Sequence, residues 1–257
     1  MTKPAWYTPK WETPTNVKAL ITSRGQVAAD PLSGFNIAMH VGDDPKHVAE
    51  RRQRLMASMP GVKSIGWLNQ VHGTDVVELL PNDTPSDPPI ADASMTRHAG
   101  LACAVMTADC LPVLFASEDG SQVAAAHAGW RGLQAGVLEA TVASFDVPPN
   151  RVKAFLGPAI SQLYFEVGAE VREAFLDAAS SGLHDAINAA FIPNEESAGK
   201  YFGNLFALAR VRLKACGVED IQGGGLCTYF HTPKFYSYRR DANSGRFASL
   251  IYITPAH

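Results

Sequence analysis

Three short stretches concentrate the side chains able to coordinate a metal, move a proton or hold an anion. They are Asn69-Gln70-Val71-His72-Gly73-Thr74-Asp75, Met106-Thr107-Ala108-Asp109-Cys110 and Ala125-Ala126-His127-Ala128-Gly129-Trp130-Arg131-Gly132. Two imidazoles, His72 and His127, and one thiol, Cys110, make a sound ligand set for Zn²⁺. Three protein ligands leave a fourth position for water or substrate, and the ion lowers that water's pKa towards neutrality. Without a metal, Cys110 and either histidine would be a nucleophile and its base. The bland reading is a small buried thiol and two hydrogen-bonded histidines. The ligands lie 38 and 17 residues apart, which matches no short zinc-finger pattern, so spacing leaves all three readings open.

Other groups extend the set. Arg131, expected at a helix start, could hold an anion with the backbone N–H groups beside it. Ser237-Tyr238-Arg239-Arg240-Asp241 is a second phosphate candidate or a structural knot of ion pairs. Asp92 and Asp109 are candidates for proton transfer or for orienting the histidines. Cys103, Cys216 and Cys227 read as core and His47 and His184 as surface, while His40 and His231 have no clear partner.

These stretches must sit at the ends of regular elements. Short apolar runs predict strands at 101–106, 111–115, 122–126, 151–156 and 250–253. Asp44 can cap a helix that Pro45 opens and Pro60-Gly61 ends. Further helices are expected from Gly132 to about residue 145, over 167–179 and over 200–216, the last closed by Gly217. The Pro/Asp-rich stretch 81–89 reads as a loop. Strands and helices are mixed and often alternate. The class is therefore α/β (α+β), a single layered domain over 1–257 with mixed β-sheets flanked by helices.

Composition narrows the function classes. The chain has 257 residues, 46% hydrophobic and 18% charged, which excludes a disordered chain. No window holds 18 uninterrupted apolar residues, so no membrane helix is expected. The net charge of −3 and the shortness of the basic runs at 51–54 and 239–240 argue against nucleic acid. The N-terminus is polar and Pro-rich, without a secretory apolar region. The four cysteines contain no CxxC pair, so reduced thiols in a cytoplasm are expected.

The blocks NQVHGTDV at 69–76, TADCLPVLF at 107–115 and AAAHAGWRGLQAGV at 124–137 closely resemble the signatures of one family. It is the laccase-domain, or multicopper polyphenol oxidase, family. Its members are now described as zinc-dependent purine nucleoside phosphorylases with adenosine deaminase and methylthioadenosine phosphorylase activities. GFNIAMHVGDDP, ADASMT, LGPAISQLYFEVGAEV and FYSYRRDANSGRFASLI extend the resemblance over residues 20 to 253.

The resemblance implies that His72, Cys110 and His127 ligate Zn²⁺, with copper as the alternative. It places Cys110, His127 and Asp109 in catalysis, and Asn36, Arg52, Gln70 and Arg131 on the substrate side. Arg51-Arg52 stands where the family usually has Asn-Arg, and 23–28 departs from its usual Gly-Gly-Val-Ser. The implied substrates are a purine nucleoside and phosphate, with Arg52, Arg131 and Arg239 as phosphate candidates. Deamination at purine C6 would consume water at the same centre. Phenol oxidation with Met39 or Met106 as axial ligand, editing of a peptidoglycan precursor by amide cleavage, a metal-free cysteine hydrolase and a non-catalytic nucleoside- or metal-binding protein are the alternatives.

Overall fold

The structure is a computed structural model that describes residues 5–26, 30–81 and 87–255. Val27 and Ala28 of the departing segment, and 82–86 of the Pro/Asp-rich stretch, lie outside the described residues. The bulk of the chain stacks in four layers. The central two are β-sheets. One has five strands in the order Trp6–Tyr7, Val17–Thr22, Phe247–Ile253, Leu101–Thr107, Ser64–Gly66. The other has six, in the order Asp220–Gly223, Val152–Leu156, Leu111–Ser117, Val123–Ala128, Ala93–Thr96, Val76–Glu78. Both are mixed. Ser64–Gly66 joins parallel to Leu101–Thr107, and most of the remaining pairs are antiparallel.

Strand alternation explains the layers. Cys103, Val105, Leu114, Ala116, Val123, Ala125, Phe247 and Ile251 meet between the sheets. Leu111, Val113, Phe115, Ala124, Ala126 and Ala128 face outward onto the helices Val137–Ala143 and Leu205–Ala215. On the opposite outer face, Ala102, Ala104, Ala248 and Leu250 pack with Phe35 and Ile37 and with Leu55 from the helix Pro45–Ala57. Covering on both faces is why these central strands read as unbroken apolar runs.

Several boundaries differ from expectation, each for a local reason. Lys200–Gly203 is a strand, between Glu166–Gly168 and Phe191–Pro193 in a small third sheet. The helix starts only at Leu205, where the Asn204 side chain accepts the Ala207 N–H. Val167 likewise belongs to a strand, and its helix is Ala169–Asp177. The helix after the third signature stretch breaks at Gly136, φ 106°, into Trp130–Ala135 and Val137–Ala143. Asp44 caps Pro45–Ala57 as expected, accepting the Lys46 N–H at 2.9 Å.

Candidate metal centre and substrate cleft

The chain crosses between the two central sheets at one end of the stack. Ala108-Asp109-Cys110 turns from Leu101–Thr107 in one sheet to Leu111–Ser117 in the other. The loop holding His72 makes the same crossing, from Ser64–Gly66 to Val76–Glu78. His127 lies near the end of Val123–Ala128, opposite Pro112. The three residues meet there, with their ligand atoms all within 4.8 Å of one another. Cys110 Sγ is 4.0 Å from His72 Nε2, and the two imidazoles meet edge to face at 4.8 Å between centroids.

Among the described residues only His72 and Asp109 are non-glycines with positive φ, at 63° and 92°. One is a ligand of the group and the other precedes a ligand. Backbone strain is thus concentrated where the site needs a sharp turn. Burial alone would raise the Cys110 thiol. The charge of His127 and hydrogen bonds from His127 and His72 outweigh it and bring the thiol down to about 6. Burial alone would lower His127, but the Cys110 charge and the Asp92 hydrogen bond raise it to about 9. These shifts describe a thiolate paired with a protonated His127; a bound metal would take the place of that proton, and the His₂Cys donor set fits Zn²⁺.

This group opens into a cavity of about 450 Å³. Trp130, Phe165, Tyr238, Ile160 and Leu205 give it flat and apolar walls. Its charged lining is Arg131, Arg239, Arg246 and one carboxylate, Asp109. That carboxylate is turned to other use. It accepts from Thr228 Oγ1 at 2.6 Å, Ser237 Oγ at 3.0 Å and the Arg239 N–H at 2.7 Å. The cleft is therefore cationic and suited to an anion.

The arginines differ in how occupied they are. Arg239 donates to the carbonyls of Tyr164 and Glu166. Arg246 donates to those of Ser244 and Gly245. Among the described residues Arg131 has no hydrogen-bonded or ionic partner; its guanidinium lies 4.4 Å from its neighbour Trp130's ring centroid. Its helix has only six residues, so the guanidinium and not a helix dipole carries the anion argument. Among the described residues the stretch 237–241 forms no ion pair; Arg240 instead donates to the carbonyls of Thr228, Tyr229 and Phe235.

The other expected substrate residues stand further back. Asn36 is fully buried, and its amide is saturated by Ala38, Asp43 and the Arg246 N–H. Arg52 donates to the Ile37 carbonyl and lies 4.0 Å above the Trp67 ring, behind Met106. Burial lowers its pKa to about 10. Gln70 lines the cleft and clasps the Met106 backbone through both ends of its amide, at 2.9 and 2.8 Å. Sequence reasoning missed Arg246 and the buried Thr107, whose hydroxyl has no partner among the described residues. Both lie within blocks quoted above, Thr107 in the second stretch and Arg246 in FYSYRRDANSGRFASLI, where nothing set them apart from their neighbours. His40 also lines the cleft, its pKa held down by burial and by Arg246 and Arg52.

A sandwich in which two crossover loops and a strand end carry a His₂Cys group is a recognisable class of chain. Residues 18–254 match the family model described as multi-copper polyphenol oxidoreductase laccase, and the chain belongs to that family. It is 48% identical over 250 residues to a purine nucleoside phosphorylase of Pseudomonas aeruginosa, covering 97% of this chain and 98% of that one. It is also 48% identical to the purine nucleoside phosphorylase YfiH of Escherichia coli, over 95% and 97% of the two chains. A solved structure of a Neisseria meningitidis protein superposes with a TM-score of 0.89 at 44% identity, over 98% of this chain and all of that one.

Proposed function

We propose that the protein is a zinc-dependent purine nucleoside phosphorylase. It would act on adenosine, inosine or guanosine, and on methylthioadenosine, in the cytoplasm. The observation that carries the proposal is a cationic cleft opening on a His₂Cys group, in which Arg131 has no hydrogen-bonded or ionic partner among the described residues. The naming of the close relatives in Pseudomonas aeruginosa and Escherichia coli supports the same reading.

Phosphorolysis joins phosphate to ribose C1′ as the bond to purine N9 breaks. The transition state has cationic sugar character. The protein must therefore place an anion, hold the base and keep water out. Arg131, without a hydrogen-bonded or ionic partner among the described residues, would bind the phosphate. Trp130, Phe165 and Tyr238 offer faces for the purine, and Ile160 and Leu205 suit an apolar 5′ substituent such as methylthio. His72, Cys110 and His127 would hold the zinc, which supplies Lewis acidity when bound. Asp109, which accepts from three donors, orders the Cys110 turn.

Adenosine deamination at the same cleft is a second activity of this reading. Copper-dependent phenol oxidation is favoured less. Among the described residues one His/Cys group of metal-holding size is present, and a multicopper centre needs more. The test is product analysis with adenosine and inosine, with and without phosphate. Base release must stop when phosphate is omitted, while any conversion of adenosine to inosine continues. Base release without phosphate would make the protein a hydrolase.

A further inference from the structure

Asp92 is fully buried and immediately precedes the strand Ala93–Thr96. Its carboxylate meets four donors. One oxygen accepts from His127 Nδ1 at 2.7 Å and from the His72 backbone N–H at 2.9 Å. The other accepts from the Gly73 N–H at 2.7 Å and the Val71 N–H at 3.0 Å. A carboxylate has about four acceptor positions, so this one is full.

We infer that Asp92 locks His72 and His127 into a single ligand unit, acting as the positioning residue for both. The inference rests on the metal reading for its functional sense but not for its geometry. The bond to Nδ1 fixes a proton there and leaves His127 Nε2 as the nitrogen offered to an ion. The three consecutive N–H groups of Val71, His72 and Gly73 converge on the same anion. Such a nest bends the backbone around its guest, and here His72 takes φ 63°. The loop is otherwise outward-facing, with Val71 53% exposed and His72 exposed. The backbone carbonyl of Asp92 also accepts the His127 N–H at 2.7 Å, which ties the two strands in register.

One consequence is specific. An asparagine in place of Asp92 cannot satisfy both arms. With its NH₂ towards Val71 and Gly73, donors face donors and the His72 loop is released. With its NH₂ towards His127 it also faces the His72 N–H, donor against donor, and the imidazole must accept at Nδ1, so its proton moves to the nitrogen needed for the metal. Either arrangement costs one ligand.

The experiment has two arms. Amide hydrogen exchange of Val71, His72 and Gly73 is followed in the wild-type protein, as purified and after zinc is removed by chelation. All three are expected to exchange at least ~100-fold slower than an open loop in both states. Zinc affinity of wild type and Asp92→Asn is then measured by chelator competition, with the His127 tautomer read by ¹⁵N NMR. The variant should bind zinc about 10–100-fold more weakly, with either fast exchange at 71–73 or a shifted tautomer. Open-loop exchange rates in the wild type overturn the lock without needing any variant. So does wild-type zinc affinity in Asp92→Asn. Protected amides in a wild-type protein that binds no zinc uphold the lock and overturn the metal reading instead.

Discussion

Gly129 lies directly under His72. A methyl group on it would sit 2.7 Å from His72 Cδ2 and 3.1 Å from Cys110 Sγ. Its φ is −62°, which any residue adopts, so space and not backbone freedom demands glycine here. Gly129→Ala is therefore a nearly pure steric probe of the centre. It should push His72 outward and lower zinc affinity at least about tenfold. The strain should cost roughly 1–3 kcal/mol of stability. Chelator competition and urea unfolding read the two effects separately.

Arg131 gives the opposite pattern. Among the described residues its guanidinium has no hydrogen-bonded or ionic partner and lies over the Trp130 ring, so its loss should leave stability within ~0.5 kcal/mol. A charged hydrogen bond to phosphate is worth about 1.5–3 kcal/mol. Arg131→Ala should therefore raise the KM for phosphate roughly 10–100-fold and change the KM for nucleoside much less. Equal changes in both would assign Arg131 to the nucleoside instead.

Asp109 separates a structural from a catalytic carboxylate. Removing it leaves Thr228, Ser237 and the Arg239 N–H without their acceptor in a buried place. Asp109→Ala should cost about 3 kcal/mol or more in urea unfolding. A variant of wild-type stability with turnover abolished would return Asp109 to the catalytic role the family resemblance implies for it.

The three metal-site candidates were legible because each lies in a short block dense in coordinating and turn-forming residues, and the family resemblance joined them. Their convergence was not legible, because crossings between two sheets bring them together and nothing in a 38- or 17-residue interval encodes that. Asp92 was recognisable as an acid near the histidines. Its grip on both comes from partners 20 and 35 residues away. Asn36 and Arg52 came from resemblance, and the structure accounts for them through Arg246 and Met106. The helix expected over 200–216 failed at its start because Tyr201 and Phe202 extend an apolar pattern that pairing with Val167 and Glu166 claims for a strand. The strands Val17–Thr22 and Ala93–Thr96 went unpredicted. Their partners lie across the sheet in distant segments and give no local signal.

The central claim is that one zinc held by His72, Cys110 and His127 sustains phosphate-dependent cleavage of a purine nucleoside. The most direct measurement is a titration of metal-free protein with zinc, following base and ribose 1-phosphate release from inosine in phosphate buffer. The account predicts a linear rise that levels off at one zinc per chain, with no rise for Cys110→Ala. Cleavage that is full without zinc would contradict it, as would activity restored by copper alone together with phenol oxidation.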